Sequence, residues 1–240
     1  MPESGQGTLS TQLTTLLTKV LTAWHALGHK APWLAYITDG GDHPKRYYRQ
    51  VLQTMADPWR PGRTLAWQWI VDFWHACGYV NDLAKGLFGD GIEGERWFAK
   101  WRRWLRDRRQ GLADVLRSAT WHYNNRKLTK AGKEQFWKGY RYLRKHRPWM
   151  HYAAYRSHGL PIGSGVTEAA CKTVFAERIK RSGMTWNREG GQVIIDLRVL
   201  VLSGVWRQVH HAYLASRPTA RVVPPASYQS SHGDVLRIAA

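Results

Sequence analysis

The sequence predicts an α/β fold that is helix-rich overall. Three observations lead there: two short apolar runs that each end in an aspartate, several longer segments with apolar residues at three- and four-residue steps, and a glycine-rich turn before a further helix. With 240 residues, 43% of them hydrophobic, the chain is long and apolar enough to bury a core.

In chain order, Leu13, Leu16, Leu17, Val20, Leu21, Trp24 and Leu27 mark one face of a first helix, and Gly28 stands where it would stop. The run Trp33-Leu-Ala-Tyr-Ile-Thr-Asp39-Gly-Gly reads as a buried strand that delivers Asp39 to its C-terminal edge. A helix is expected from Lys45 to Met55, followed by a loop holding Pro58 and Pro61. Leu65-Ala-Trp-Gln-Trp-Ile-Val-Asp72-Phe-Trp-His75 reads as a second strand that again carries an acid. The pattern turns helical from Ala76 to Phe88, and Gly89-Asp-Gly91 makes a loop.

Trp97, Trp101, Trp104 and Leu105 form one face of the next helix, which the spacing assigns to the core rather than to base stacking. Its other faces carry Lys100, Arg102, Arg103, Arg106, Arg108 and Arg109, and with Arg141, Arg144, Lys145 and Arg147 they make a basic helical region suited to phosphates. Pro148 ends the last of these helices. Helix is expected again from Glu168 to Lys180, stopped by Ser182-Gly183. Val193 to Trp206 is apolar on nearly every side, and its length favours a buried helix over a buried strand. The tail that follows, rich in Pro, Ser, Ala and Arg, is expected to be poorly ordered.

Thirty-six Lys and Arg face 17 Asp and Glu, a formal charge of +19 that argues against a typical metabolic enzyme and for a polyanionic partner, nucleic acid first. No apolar run is long enough to span a bilayer, and the N-terminus lacks a basic segment followed by an apolar one, so no membrane partner is expected. Two cysteines, Cys77 and Cys171, can build neither a disulfide framework nor a four-cysteine zinc site, and both read as small buried residues of an intracellular chain.

The stretch Gly163-Ser-Gly-Val-Thr-Glu168 fails as a dinucleotide-binding turn, because Glu168 stands where a small residue must let helix and strand pack closely. Ser164 can cap the helix that follows, and a carboxylate in its first turn suits the helix dipole. A different reading takes Asp39, Asp72 and Glu168 together: acids spaced along a very basic chain suggest carboxylates gathered around divalent metal for phosphodiester chemistry.

Gly159-Leu-Pro-Ile-Gly-Ser-Gly-Val-Thr-Glu168-Ala-Ala-Cys-Lys172, then Arg178-Ile-Lys-Arg-Ser-Gly-Met-Thr-Trp186 and Gly190-Gly-Gln192, resembles the C-terminal signature of bacterial insertion-sequence transposases of the ISKra4 type. The resemblance also takes in Ile37-Thr-Asp39-Gly, Asp72-Phe-Trp-His75-Ala and Leu87-Phe-Gly89, hence most of the chain from Leu13 to Trp206. It implies a DDE enzyme with an RNase H-like core, here incomplete, and a large helical insertion. Residues 1–78 would be the partial core, 79–150 the basic insertion, 151–212 the core helices carrying Glu168, and 213–240 the tail.

The resemblance implies that Asp39 and Glu168 are catalytic and hold Mg2+ or Mn2+, with Asp72 and His75 in support. Lys172, Arg178, Lys180, Arg181 and Trp186 would bind DNA. The partners implied are transposon ends and target DNA, with a homo-oligomer as the active complex, in the cytoplasm on the bacterial nucleoid. The family pattern also needs an earlier catalytic Asp, whereas Glu3 is the only acid before Asp39. The chain is therefore expected to be the C-terminal part of a transposase, and Asp72 is the residue that would have to complete a triad within it.

Overall fold

The computed structural model describes residues 8–180 and 185–216, which fall into two compact units divided after Val166. The chain is helix-rich, with one small parallel sheet.

The first unit opens with α1 (Leu9–Ala26), whose first turn is capped by the Thr8 hydroxyl accepting from the Thr11 N–H at 3.3 Å. Strand β1 (Leu34–Thr38) leads through α2 (Asp42–Gln50) and a 3-10 turn (Leu52–Thr54) to β2 (Trp67–Val71). The two strands are parallel and in register from Leu34 opposite Trp67 to Thr38 opposite Val71. Helical structure joins them, as parallel pairing requires.

Alternation along β2 turns Trp67, Trp69 and Val71 away from β1. Their carbonyls accept from side chains instead: Tyr48 Oη at 3.0 Å, Gln68 Nε2 at 3.0 Å and Tyr152 Oη at 3.0 Å. That edge is thus closed without a third strand. Ala35 and Ile37 face the other edge, beside β1, where no strand lies among the described residues.

Five helices complete this unit: α3 (Phe73–Phe88), α4 (Ile92–Asp107), α5 (Gly111–Asn125), α6 (Lys130–Lys145) and the short α7 (Tyr152–Ser157). One core runs from Ile70 and Val71 of β2 through Phe73, Val80 and Leu83 of α3 into the facing sides of α4 to α7. Trp97 and Trp101 are buried in it, as the spacing predicts. The helices read as an insertion therefore share one core with β2.

Helices α3 and α6 meet backbone to backbone. A Cβ on Gly86 would lie 2.7 Å from the Gly132 carbonyl oxygen, and one on Gly139 would lie 2.6 Å from that of Tyr79. Only hydrogen at these positions permits the approach.

The second unit is helical. α8 (Gly165–Ala170), which begins just before the division, continues through a π-helical turn (Cys171–Ala176) into α9 (Glu177–Ile179). After residues 181–184 come α10 (Arg188–Leu202), capped by Asn187 on the Gly190 N–H at 2.7 Å, and α11 (Trp206–Ser216).

Several expectations need correcting. The second strand stops at Val71, because Asp72 caps a helix that already contains Phe73, Trp74 and His75. The segment from Val193 is helical but not buried: Val193, Val201 and Leu202 are each at least half exposed. The apolar face of α1 is also open, since only Leu21 is buried on it. Cys77 is buried but Cys171 is exposed. Helix α11 carries order through Ser216, into the stretch read as tail; the rest of that stretch, and Ser182-Gly183, lie outside the described residues.

Candidate active site

Asp39 and Asp72 are the first residues beyond the paired strand ends Thr38 and Val71, so the parallel register brings both acids to one sheet edge. Their environments then diverge.

Asp72 is buried and its carboxylate is committed to the fold. Oδ1 accepts from the His75 N–H at 2.9 Å, capping α3, and Oδ2 accepts from the Ser164 N–H at 2.6 Å. Its own N–H donates to the Thr38 carbonyl at 2.7 Å. Burial pushes the carboxyl toward the neutral form, but the N–H groups of His75, Ser164 and Trp74 and the Ser164 hydroxyl outweigh it and hold the acid below the usual range.

Asp39 is exposed. Its Oδ1 accepts from the Gly41 N–H at 2.9 Å, while Oδ2 has no partner among the described residues. The turn behind it is firmly held. Gly40 has φ +79°, and a Cβ there would lie 2.9 Å from Cδ2 of His146. Buried His146 spans between two carbonyls, with Nδ1 2.9 Å from Tyr142 O and Nε2 3.0 Å from Gly40 O. The Tyr142 hydroxyl donates to the Asp39 carbonyl. Tyr142 stacks on Tyr79 with ring centres 3.6 Å apart, and the exposed His75 ring meets both edge-on. Burial, reinforced by Tyr79, Asp39 and Asp72, drives the Tyr142 phenol above its ordinary range, so it stays a donor to the turn.

Tyr142 and His146 therefore position Asp39, and sequence reasoning missed both. They lie more than one hundred residues from it, and only their helical spacing of four hinted at a shared task.

The Gly-Ser-Gly turn also gains a reason. A Cβ on Gly163 would press within 3.1 Å of the Trp74 ring, so glycine lets the turn close over α3 and present the Ser164 N–H to Asp72. That clasp fixes the chain four residues before Glu168.

The remaining predicted residues belong to the second unit. Glu168 is exposed on α8, and Lys172 is exposed within the π-helical turn. Arg178 lies over the Trp186 ring, 5.8 Å from its centre, and the buried Trp186 indole N–H has no acceptor among the described residues. Lys180 is exposed; Arg181 lies outside the described residues. The structure thus brings Asp39, Asp72 and His75 together in one unit, and Arg178 with Trp186 in the other.

A hard cation takes carboxylate oxygens, and of the two acids at this sheet edge only Asp39 offers an uncommitted one. Among the described residues, no three His, Cys, Asp or Glu side chains form a group that could hold a metal ion. Among the described residues, such a ligand set is incomplete. Searches of protein-family models, curated proteins and solved structures found no match to the chain.

Proposed function

We propose that this chain is part of the catalytic region of a DDE transposase, with an incomplete RNase H-like core, acting on the phosphodiester bonds of insertion-sequence ends. The observation that carries the reading is the pair Asp39 and Asp72, side by side at the carboxyl edge of adjacent parallel strands. Glu168 follows in the expected order along a chain of charge +19.

Asp39 is the metal-holding acid of this pair, since its carboxylate is exposed and its backbone is fixed from behind. Asp72 is a positioning residue that ties β1, α3 and the Ser164 turn together. Glu168 is the second metal-holding acid, and a further carboxylate is needed to complete the set. Bound Mg2+ or Mn2+ would activate the attacking oxygen and stabilise the leaving one. Lys172, Arg178, Lys180 and Arg181 would hold DNA phosphates.

A second reading is favoured by the incomplete ligand set: a non-catalytic DNA-binding protein that occupies element ends. Incubation of the purified chain with supercoiled DNA and divalent metals separates the two. Under the catalytic reading, Mg2+-dependent nicking occurs and Glu168→Gln abolishes it with duplex affinity unchanged. Duplex binding without nicking under Mg2+ or Mn2+ would leave the binding reading, and nicking that survives Glu168→Gln would sink the assignment of that residue.

A further inference from the structure

The loop between α4 and α5 and the turn after α6 line a cavity of about 290 Å³. Its floor is apolar, built on buried Leu112 and Met150, while Arg109, Arg117, Arg147 and His151 line its walls. We propose that this cavity is a phosphate-binding site with Arg109 and Arg147 as its cationic arms.

Ion pairing separates the arginines that line this cavity. Within the cavity wall, Arg117 is 3.3 Å from Asp114. Arg109 and Arg147 have no acidic partner among the described residues. Two guanidinium groups open on one cavity with no carboxylate to neutralise them are an anion site in search of its anion, and the planar guanidinium fork matches phosphate.

Backbone groups add to this. Helix α5 has no side-chain cap, and among the described residues the N–H groups of Leu112 and Ala113, both on the cavity wall, have no acceptor. A Cβ on Gly111 would lie 2.2 Å from the Trp104 carbonyl oxygen, so glycine is what lets α5 start hard against the end of α4 beside the cavity. Fixed donors beside uncompensated arginines are the combination that phosphate oxygens use.

The phosphate is either one of a nucleic-acid backbone or a free one. The first source rests on the nucleic-acid reading above; the site itself does not. The test uses the full chain, the double variant Arg109→Gln/Arg147→Gln, and a control of equal charge loss, Arg46→Gln/Arg49→Gln, on the exposed face of α2. Inorganic phosphate is followed by 31P line broadening, and a short DNA duplex by fluorescence anisotropy over a salt series.

The expected result is that Arg109→Gln/Arg147→Gln abolishes the broadening and weakens duplex binding by about tenfold or more, with a salt slope smaller by about one, while the control behaves as the native chain does. Duplex binding and broadening unchanged in Arg109→Gln/Arg147→Gln would overturn the site and leave the nucleic-acid reading intact. Equal losses in both double variants would also overturn it, as an effect of overall charge. Broadening that depends on the two arginines in a chain that binds no duplex would support the site with free phosphate as its ligand and sink the nucleic-acid reading.

Discussion

Asp72 joins three stretches of chain: its N–H bonds β1, one carboxylate oxygen caps α3, and the other holds the turn before α8. Removing the side chain strips a cap and leaves the Ser164 N–H without its acceptor, so Asp72→Ala should lower stability by about 2 kcal/mol at neutral pH. Urea unfolding followed by far-UV circular dichroism reads this as a lower midpoint at unchanged slope. The sign of the pH dependence follows from the lowered pKa of Asp72. The stabilisation is complete above the carboxyl's unfolded value of about 4 and is lost as pH falls through the lower folded value. Native and Asp72→Ala curves should therefore converge on acidification, and a constant gap down to strongly acid pH would contradict the role. The places of Asp39 and Asp72 were legible in the sequence because each acid directly follows an apolar run. Their different fates were not, since Ser164 comes from 92 residues further on and His146 reaches Gly40 across 106.

At the level of elements, three- and four-residue steps located most helices, and the two apolar runs became the two strands. What local pattern could not supply was the partner of each face. Apolar stripes on α1 and α10 mark helix correctly, yet most of their side chains remain exposed, because burial depends on what packs against them. Gly86, Gly132 and Gly139 run against local propensity. Inside a helix, glycine reads as a weak point that alanine would strengthen by about 1 kcal/mol. Here the facing backbone occupies the space, so Gly139→Ala must push α3 and α6 apart. We expect a net loss of about 1 to 3 kcal/mol, measured by thermal unfolding, where intrinsic propensity alone calls for a gain.

For the whole molecule, charge sets two opposite responses to salt. The ion pairs on the basic helices are largely exposed, so they tie down side chains without cancelling the long-range field of a +19 chain. Raising salt from about 50 to about 200 mM should weaken duplex binding by about 10³-fold if six or so phosphates are engaged. The same change should raise the melting temperature of the free protein, because self-repulsion is screened. A melting temperature that falls with salt would mean that attractive pairs, not net repulsion, dominate the free state. Among the described residues no helix is long and apolar enough to cross a membrane.

The glycines between α3 and α6 bear on how such a chain can drift. With 22 glycines, composition suggests a loosely built molecule in which exchanging one for another small residue matters little. At positions 86, 132 and 139 the inference inverts: the smallest residues form a close backbone joint. A lineage altering the exposed arginines to suit a new partner stays free to do so, while these three positions stay closed to every residue that carries a Cβ.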